Sequence, residues 1–64
     1  MEAYQERVVA EKNELDERIT KLRMFIESPG FGNIEVAEQK RMRRQELIMQ
    51  LYSDVLVDRI ENFS

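Results

Sequence analysis

The sequence predicts an all-α fold, a two-helix antiparallel hairpin that assembles into a homo-oligomeric helical bundle. Three observations support this fold class. The two glycines and the single proline of the 64 residues all lie between positions 28 and 33. The rest of the chain is rich in Glu, Arg, Leu, Met and Gln, which favour helices. The second helical segment also carries more apolar residues than one neighbouring helix can cover.

We expect a first helix over residues 2–27, a loop over 28–34 and a second helix over 35–62, within one domain that covers residues 1–64. Pro29 ends the first helix, because it cannot donate a backbone hydrogen bond and it disfavours helical geometry at the residue before it. The glycines that follow tolerate the backbone conformations that a tight reversal requires.

A short loop between two long helices favours an antiparallel pairing. Folding the chain about residue 31 places Val8 beside Val55, and Leu15 beside Ile48. These apolar pairs match, so the sequence predicts this register between the helices.

The apolar band of the second helix predicts self-association. Residues 47–57 contain eight apolar residues out of eleven, and they cannot all face the first helix. A domain of about 60 residues also buries only about 60 % of its unfolded surface, so it is marginal alone. We therefore expect a dimer that forms a four-helix bundle, or a trimer or larger ring. The predicted interface residues are Leu47, Met49, Leu56 and Val57.

Composition excludes most catalytic chemistry. The chain has no His and no Cys, so it has no imidazole base, no thiolate and none of the usual nitrogen or sulfur metal ligands. We therefore expect neither an enzyme nor a cofactor or metal site. The formal net charge of −3 argues against general nucleic-acid binding. No apolar run approaches the roughly 20 residues of a membrane span, so we expect a soluble, cytoplasmic protein.

Basic residues gather toward the loop end of the hairpin. The arginine guanidinium presents a planar fork that suits phosphate, so this cluster is a candidate anion site. The alternative is a solvated face paired with nearby glutamates. The candidate anion-site residues are Lys21, Lys40, Arg41 and Arg44.

A second group of candidate ligand-binding residues lies toward the open end. Tyr4 can stack on a flat ring, and Arg7 and Arg59 can hold phosphate. Tyr52 lies deeper along the second helix and can line the same hollow. The alternative is that both tyrosines are aromatic residues at the edge of the core with exposed hydroxyls.

Short motifs along nearly the whole chain form one pattern. They are Tyr4-Gln5-Glu6-Arg7-Val8, Glu11-Lys12-Asn13-Glu14-Leu15, Lys21-Leu22 and Phe25-Ile26 in the first half, and Glu38-Gln39, Gln45, Met49, Tyr52-Ser53, Leu56 and Arg59-Ile60 in the second. In this pattern the sequence resembles a family of short bacteriophage proteins related to a crAss-like phage protein. The loop Pro29-Gly30-Phe31-Gly32 departs from the acidic loop that such relatives often have.

In size and plan the chain is also similar to small phage proteins that sequester nucleotide immune signals, the anti-CBASS and anti-Thoeris sponges. That similarity implies a homo-oligomer in the cytoplasm of the infected host, which binds a cyclic nucleotide or an ADP-ribose derivative between protomers. The second candidate is a helical interaction module that docks on a host or phage protein through the apolar face of the second helix.

Overall fold

A computed structural model describes all residues 1–64 as two long helices joined by a short turn. Helix α1 spans Ala3–Ile26 and helix α2 spans Val36–Glu61, with a 3₁₀ turn over Pro29–Asn33 between them. The two helices run side by side as a rod with dimensions of 47 × 14 × 13 Å. The predicted all-helical, two-helix fold is therefore confirmed.

Side chains close both ends of α1. At its start, the backbone N–H of Glu2 donates a hydrogen bond of 2.9 Å to Oε1 of Gln5. This bond satisfies a backbone donor that the helix itself leaves without a partner. At its end, Ser28 Oγ donates a hydrogen bond of 2.6 Å to the carbonyl oxygen of Phe25. Pro29 then stops the helix.

The turn folds back onto the helices through Phe31, which is only 5 % exposed. Its ring meets the ring of Phe25 edge to face, with 6.3 Å between the centroids. The guanidinium of Arg43 lies 5.1 Å from the centroid of the same ring. The turn is therefore a packed element of the fold.

Gln39 connects the turn to the first turn of α2. Its Nε2 donates hydrogen bonds to the carbonyl oxygens of Phe31, at 3.1 Å, and Ile34, at 2.7 Å. Ile34 follows the turn with an extended backbone. The contacts Arg23–Glu46 and Asp16–Ser53 between the helices centre the reversal between residues 34 and 35.

The core is a narrow seam between the helices. Its buried members are Val8, Leu15 and Ile19 of α1 and Leu56 of α2, and Met49, Ile60 and Phe63 pack against them. The seam also contains one polar residue of α2, Ser53, which is 3 % exposed.

The observed register differs from the predicted one by about two helical turns. Ser53 lies opposite Asp16, with a hydrogen bond of 2.7 Å, where the predicted register places residue 46 or 47. An ion pair of 3.3 Å between Arg23 and Glu46 follows the same displaced register. The displacement arises because the chain reverses beyond Phe31.

α2 also turns a different face toward α1 than the sequence predicts. Ile48 and Val55, predicted to meet Leu15 and Val8, are 58 % and 56 % exposed, so those predicted contacts are wrong. Leu56 and Met49, predicted at an interface between chains, instead lie against α1, and Leu56 is 0 % exposed. Of the other two predicted interface residues, Leu47 is exposed and Val57 is half-buried.

Candidate functional site

The outward face of α2 carries a stripe of exposed apolar side chains, which we call the outer stripe. Each of these side chains is between 44 % and 59 % exposed. The stripe consists of Leu47, Ile48, Leu51, Tyr52 and Val55. It lies opposite the side of α2 that carries Met49, Ser53 and Leu56 and packs on α1, because residues three or four apart share one face of a helix. α2 is thus apolar on two opposite faces, as the sequence predicted.

Charged residues lie at both ends of the outer stripe. Arg44 precedes it, and Asp58 and Arg59 follow it along α2. The ion pairs of the chain are Lys12–Asp16, Arg23–Glu46 and Arg41–Glu38. Arg44 and Arg59 therefore have no carboxylate partner within the chain, so their guanidinium groups are available to a ligand or a second molecule.

The four candidate anion-site residues differ in their surroundings. Arg41 is held by Glu38, with 2.6 Å between Nε and Oε1, whereas Lys40 and Arg44 are exposed without ion pairs. Lys21 belongs to α1 and lines a shallow groove of about 670 Å³ together with Asp16 and Glu17. Since these two carboxylates face the same groove, the structure does not concentrate positive charge at Lys21.

Tyr4 lies at the open end of the hairpin and is half exposed. Its ring meets the ring of Phe63 edge to face, with 5.8 Å between the centroids, and its hydroxyl accepts a hydrogen bond of 3.4 Å from Nε2 of Gln5. Arg7 lies one turn further along α1 and is exposed. Phe63 is absent from the predicted site residues, because it lies beyond the predicted second helix.

Within one chain, Tyr4 and Tyr52 do not line the same hollow. Tyr4 contacts Phe63. Tyr52 and Phe63 are separated by about 16 Å along the helix axis, at a helical rise of about 1.5 Å per residue. Arg59 is one turn from Phe63 and two turns from Tyr52, and it shares one face of α2 with Tyr52 because residues seven apart align on a helix. Grouped by helix, the four candidate ligand residues form an open-end pair on α1, Tyr4 and Arg7, and an α2 pair, Tyr52 and Arg59.

Asp16 is the centre of a polar contact between the helices. Lys12, one turn earlier on α1, and Ser53 on α2 both donate hydrogen bonds to its carboxylate. These two hydrogen bonds, that of Lys12 above all, hold the pKa of Asp16 below its usual value, and partial burial opposes them weakly. The charged carboxylate thus stabilises the pairing of the helices.

The structure contains no cluster of three or more residues of the types Asp, Glu, His and Cys that is arranged to hold a metal ion. Neither helix is long and apolar enough to cross a membrane. The fold and these surfaces define a small helical-hairpin protein with an unpaired apolar stripe between charged ends.

Comparison with known proteins identifies the family. The chain belongs to the Sequestin family, whose family model matches residues 2–62. It is similar to an uncharacterised 7.5 kDa protein in the denB-rIIB intergenic region of Enterobacteria phage T4, with 36% identity over 63 residues, which is 98% of each chain. The predicted resemblance to a family of short phage proteins is therefore confirmed. No solved structure matches the chain.

Proposed function

We propose that this protein binds a small nucleotide immune signal as a homo-oligomer and sequesters it without chemical change, and so counters a bacterial defence such as CBASS or Thoeris. The observation that carries the proposal is membership of the Sequestin family, whose name denotes sequestration. A relative of nearly equal length in phage T4 supports a role during infection.

The α2 pair supplies the chemistry that nucleotide binding needs. The ring of Tyr52 is 44 % exposed and can stack on a base. Arg59 has no ion pair within the chain and can donate paired hydrogen bonds to a phosphate. Tyr4 and Arg7 offer the same combination of an aromatic ring and a guanidinium group at the open end. Because they lie far from Tyr52, they would contact a different part of the ligand or a ligand bound by a different protomer.

A single hairpin offers a nucleotide only a convex surface. Small-molecule sites are usually concave and enclose most of the ligand, whereas the one groove of this chain is shallow and lies on α1, away from Tyr52 and Arg59. Binding between protomers resolves this difficulty, because a second copy along the outer stripe supplies the other wall of the pocket.

Isothermal titration calorimetry against cyclic dinucleotides, cyclic trinucleotides and cyclic ADP-ribose derivatives tests the proposal. We expect saturable heat with at least one class and recovery of the intact ligand after heat denaturation of the complex. The absence of heat with every class contradicts nucleotide binding. Recovery of a cleaved ligand contradicts sequestration without chemistry.

The second candidate function is that of a helical module that docks on a host or phage protein. It is favoured by the outer stripe, because exposed apolar residues on one helix face are typical of helix-in-groove recognition. This candidate predicts a monomer or weak dimer in isolation and a co-purifying protein partner. Sedimentation of a tight oligomer that buries the outer stripe argues against it.

A further inference from the structure

Three residues of the outer stripe and its charged ends are placed symmetrically about Leu51. Leu47 and Val55 lie one helical turn to either side of it, and Arg44 and Asp58 lie about two turns to either side. Leu47, Leu51 and Val55 therefore keep the same spacing when the stripe is read in either direction, whereas Ile48 and Tyr52 have Asp54 and Gln50 at their mirror positions. The charged ends differ, because one carries Arg44 and the other carries Asp58 with Arg59 beside it.

We propose that α2 of a second copy lies antiparallel along the outer stripe, with a two-fold axis beside Leu51. This geometry rests on the homo-oligomer of the proposed function. In this arrangement Arg44 meets Asp58 of the partner subunit, and the same contact recurs at the other end of the stripe. A parallel arrangement places Arg44 against the partner's Arg44 and Asp58 against the partner's Asp58. Like charges in contact are unfavourable, so charge complementarity selects the antiparallel pair.

Both charged residues are available for this contact. Arg44 is exposed and has no ion pair within the chain. Asp58 is exposed, and its carboxylate accepts only a long amide hydrogen bond of 3.3 Å from Asn62. The pairing therefore breaks no ion pair that the hairpin already makes.

The same geometry brings the candidate ligand residues of two copies together. A two-fold axis between antiparallel helices places equivalent residues on the same side of the seam. Tyr52 is adjacent to Leu51, so the ring of Tyr52 and that of the partner's Tyr52 lie close together on one side, and Arg59 follows on that side about two turns away. The dimer thus provides two aromatic rings with guanidinium groups beyond them, which suits a nucleotide with a planar base and more than one phosphate.

Charge exchange tests the pairing by sedimentation equilibrium at micromolar concentration without ligand. Arg44→Glu alone and Asp58→Arg alone each place like charges together at both ends of the seam. We expect each to raise the dimer dissociation constant about tenfold or more. The Arg44→Glu/Asp58→Arg chain restores both contacts with reversed sign and recovers the dissociation constant to within about threefold.

Arg18→Glu is the matched control, because Arg18 is an exposed arginine of α1 without an ion pair and the substitution changes the net charge equally. We expect it to leave the dimer intact. The proposal is overturned if Arg18→Glu weakens the dimer as much as Arg44→Glu does, or if the charge-exchanged chain stays as weak as the single variants. Circular dichroism of each variant verifies that the helices persist.

Cross-linking tests the direction of the helices separately, because the chain contains no cysteine of its own. Arg44→Cys and Asp58→Cys chains are mixed and treated with a bismaleimide that spans about 10 Å. We expect cross-links between positions 44 and 58 and none between two copies of position 44, which the antiparallel dimer separates by about 21 Å along the axis. Cross-links between two copies of position 44 overturn the proposal.

Failure of this inference and failure of the proposed function give different results. A chain that sediments as a 7.7 kDa monomer but binds a nucleotide overturns the dimer and the homo-oligomer of the proposed function, and leaves nucleotide sequestration itself standing. A dimer with the expected charge and cross-linking pattern that yields no heat with any nucleotide supports the dimer and contradicts sequestration.

Discussion

Ser53 of α2 donates a hydrogen bond of 2.7 Å to the carboxylate of Asp16 on α1, and this contact marks the register of the hairpin. Ser53 is 3 % exposed, within an otherwise apolar seam. A buried hydroxyl is tolerated there because it has a hydrogen-bond acceptor. A shift of either helix by one turn would separate this hydroxyl from Asp16.

Ser53→Ala removes the hydrogen bond and leaves the seam otherwise unchanged. We expect a loss of about 1 kcal/mol in the free energy of unfolding, since a hydrogen bond to a charged but partly exposed acceptor is worth about that much. Urea denaturation followed by circular dichroism measures the loss. Ser64→Ala, at the exposed chain terminus beyond α2, is the control and should have no effect. Equal stability of the two variants would contradict a structural role for Ser53.

Stability should depend on pH through Asp16, whose pKa is lowered by the hydrogen bonds from Lys12 and Ser53. A carboxyl group with a lowered pKa in the folded state stabilises the fold at pH values above its ordinary pKa of about 3.9. This contribution is lost as the pH falls through the lower pKa of the folded state. The Asp16 side chain is 43% exposed, so we expect less than about 1 kcal/mol.

Urea denaturation between pH 2 and pH 7 measures this dependence. Asp16→Asn cannot titrate, so its free energy of unfolding should fall less steeply below about pH 4 than that of the unaltered chain. Glu17→Gln, an exposed neighbour without an ion pair, is the control and should keep the steeper dependence. Parallel curves for the unaltered chain and Asp16→Asn would refute the assignment.

Leu56→Ala and Leu51→Ala separate the two apolar faces of α2. Leu56 is 0 % exposed in the core, so its truncation should cost about 2–5 kcal/mol and unfold much of so small a protein. Leu51 is 56% exposed, so its truncation should leave the hairpin folded and weaken self-association. Circular dichroism reports the first effect and sedimentation equilibrium the second. A folded Leu56→Ala chain or an unfolded Leu51→Ala chain would contradict this assignment of the two faces.

Nucleotide affinity should depend on the α2 pair. We expect Tyr52→Ala and Arg59→Ala each to weaken binding by about tenfold or more, because each removes a stacking surface or a phosphate ligand worth about 1–3 kcal/mol. Calorimetry with the nucleotide that gives heat with the unaltered chain provides the measurement. Tyr4→Ala tests the open-end pair in the same way, and Arg18→Ala is the control for loss of a positive charge. Unchanged affinity in both α2 variants would remove these residues from the site.

The sequence was sufficient to predict the helices but not the face that each helix buries. Pro29 and its neighbouring glycines separate two stretches of helix formers, and local preferences of this kind act within a few residues. The helices accordingly extend over Ala3–Ile26 and Val36–Glu61. α2, however, has apolar residues on two opposite faces, so its hydrophobic pattern alone could not distinguish the stripe that contains Leu56 from the one that contains Leu51.

The residue types of the candidate site could be predicted from the sequence, but their positions relative to one another could not. Exposed tyrosines and arginines could be selected from the sequence, because their chemistry is independent of register. The distances between them could not be predicted from the sequence, since the distance between Tyr4 and Tyr52 depends on how far one helix is displaced along the other. Phe63, which packs on Tyr4, continues the helical spacing of Leu56 and Ile60 but lay beyond the predicted helix.

The amino-acid sequence by itself thus determined two helices, their turn and an excess of apolar surface on α2, because all three follow from local preference and composition. The tertiary structure alone decided the register and which apolar face of α2 stays exposed. That choice depends on the burial of Phe31 and on the partners found by Gln39 and Ser53. These contacts join residues that are far apart along the chain or lie within the turn, where helical periodicity carries no information.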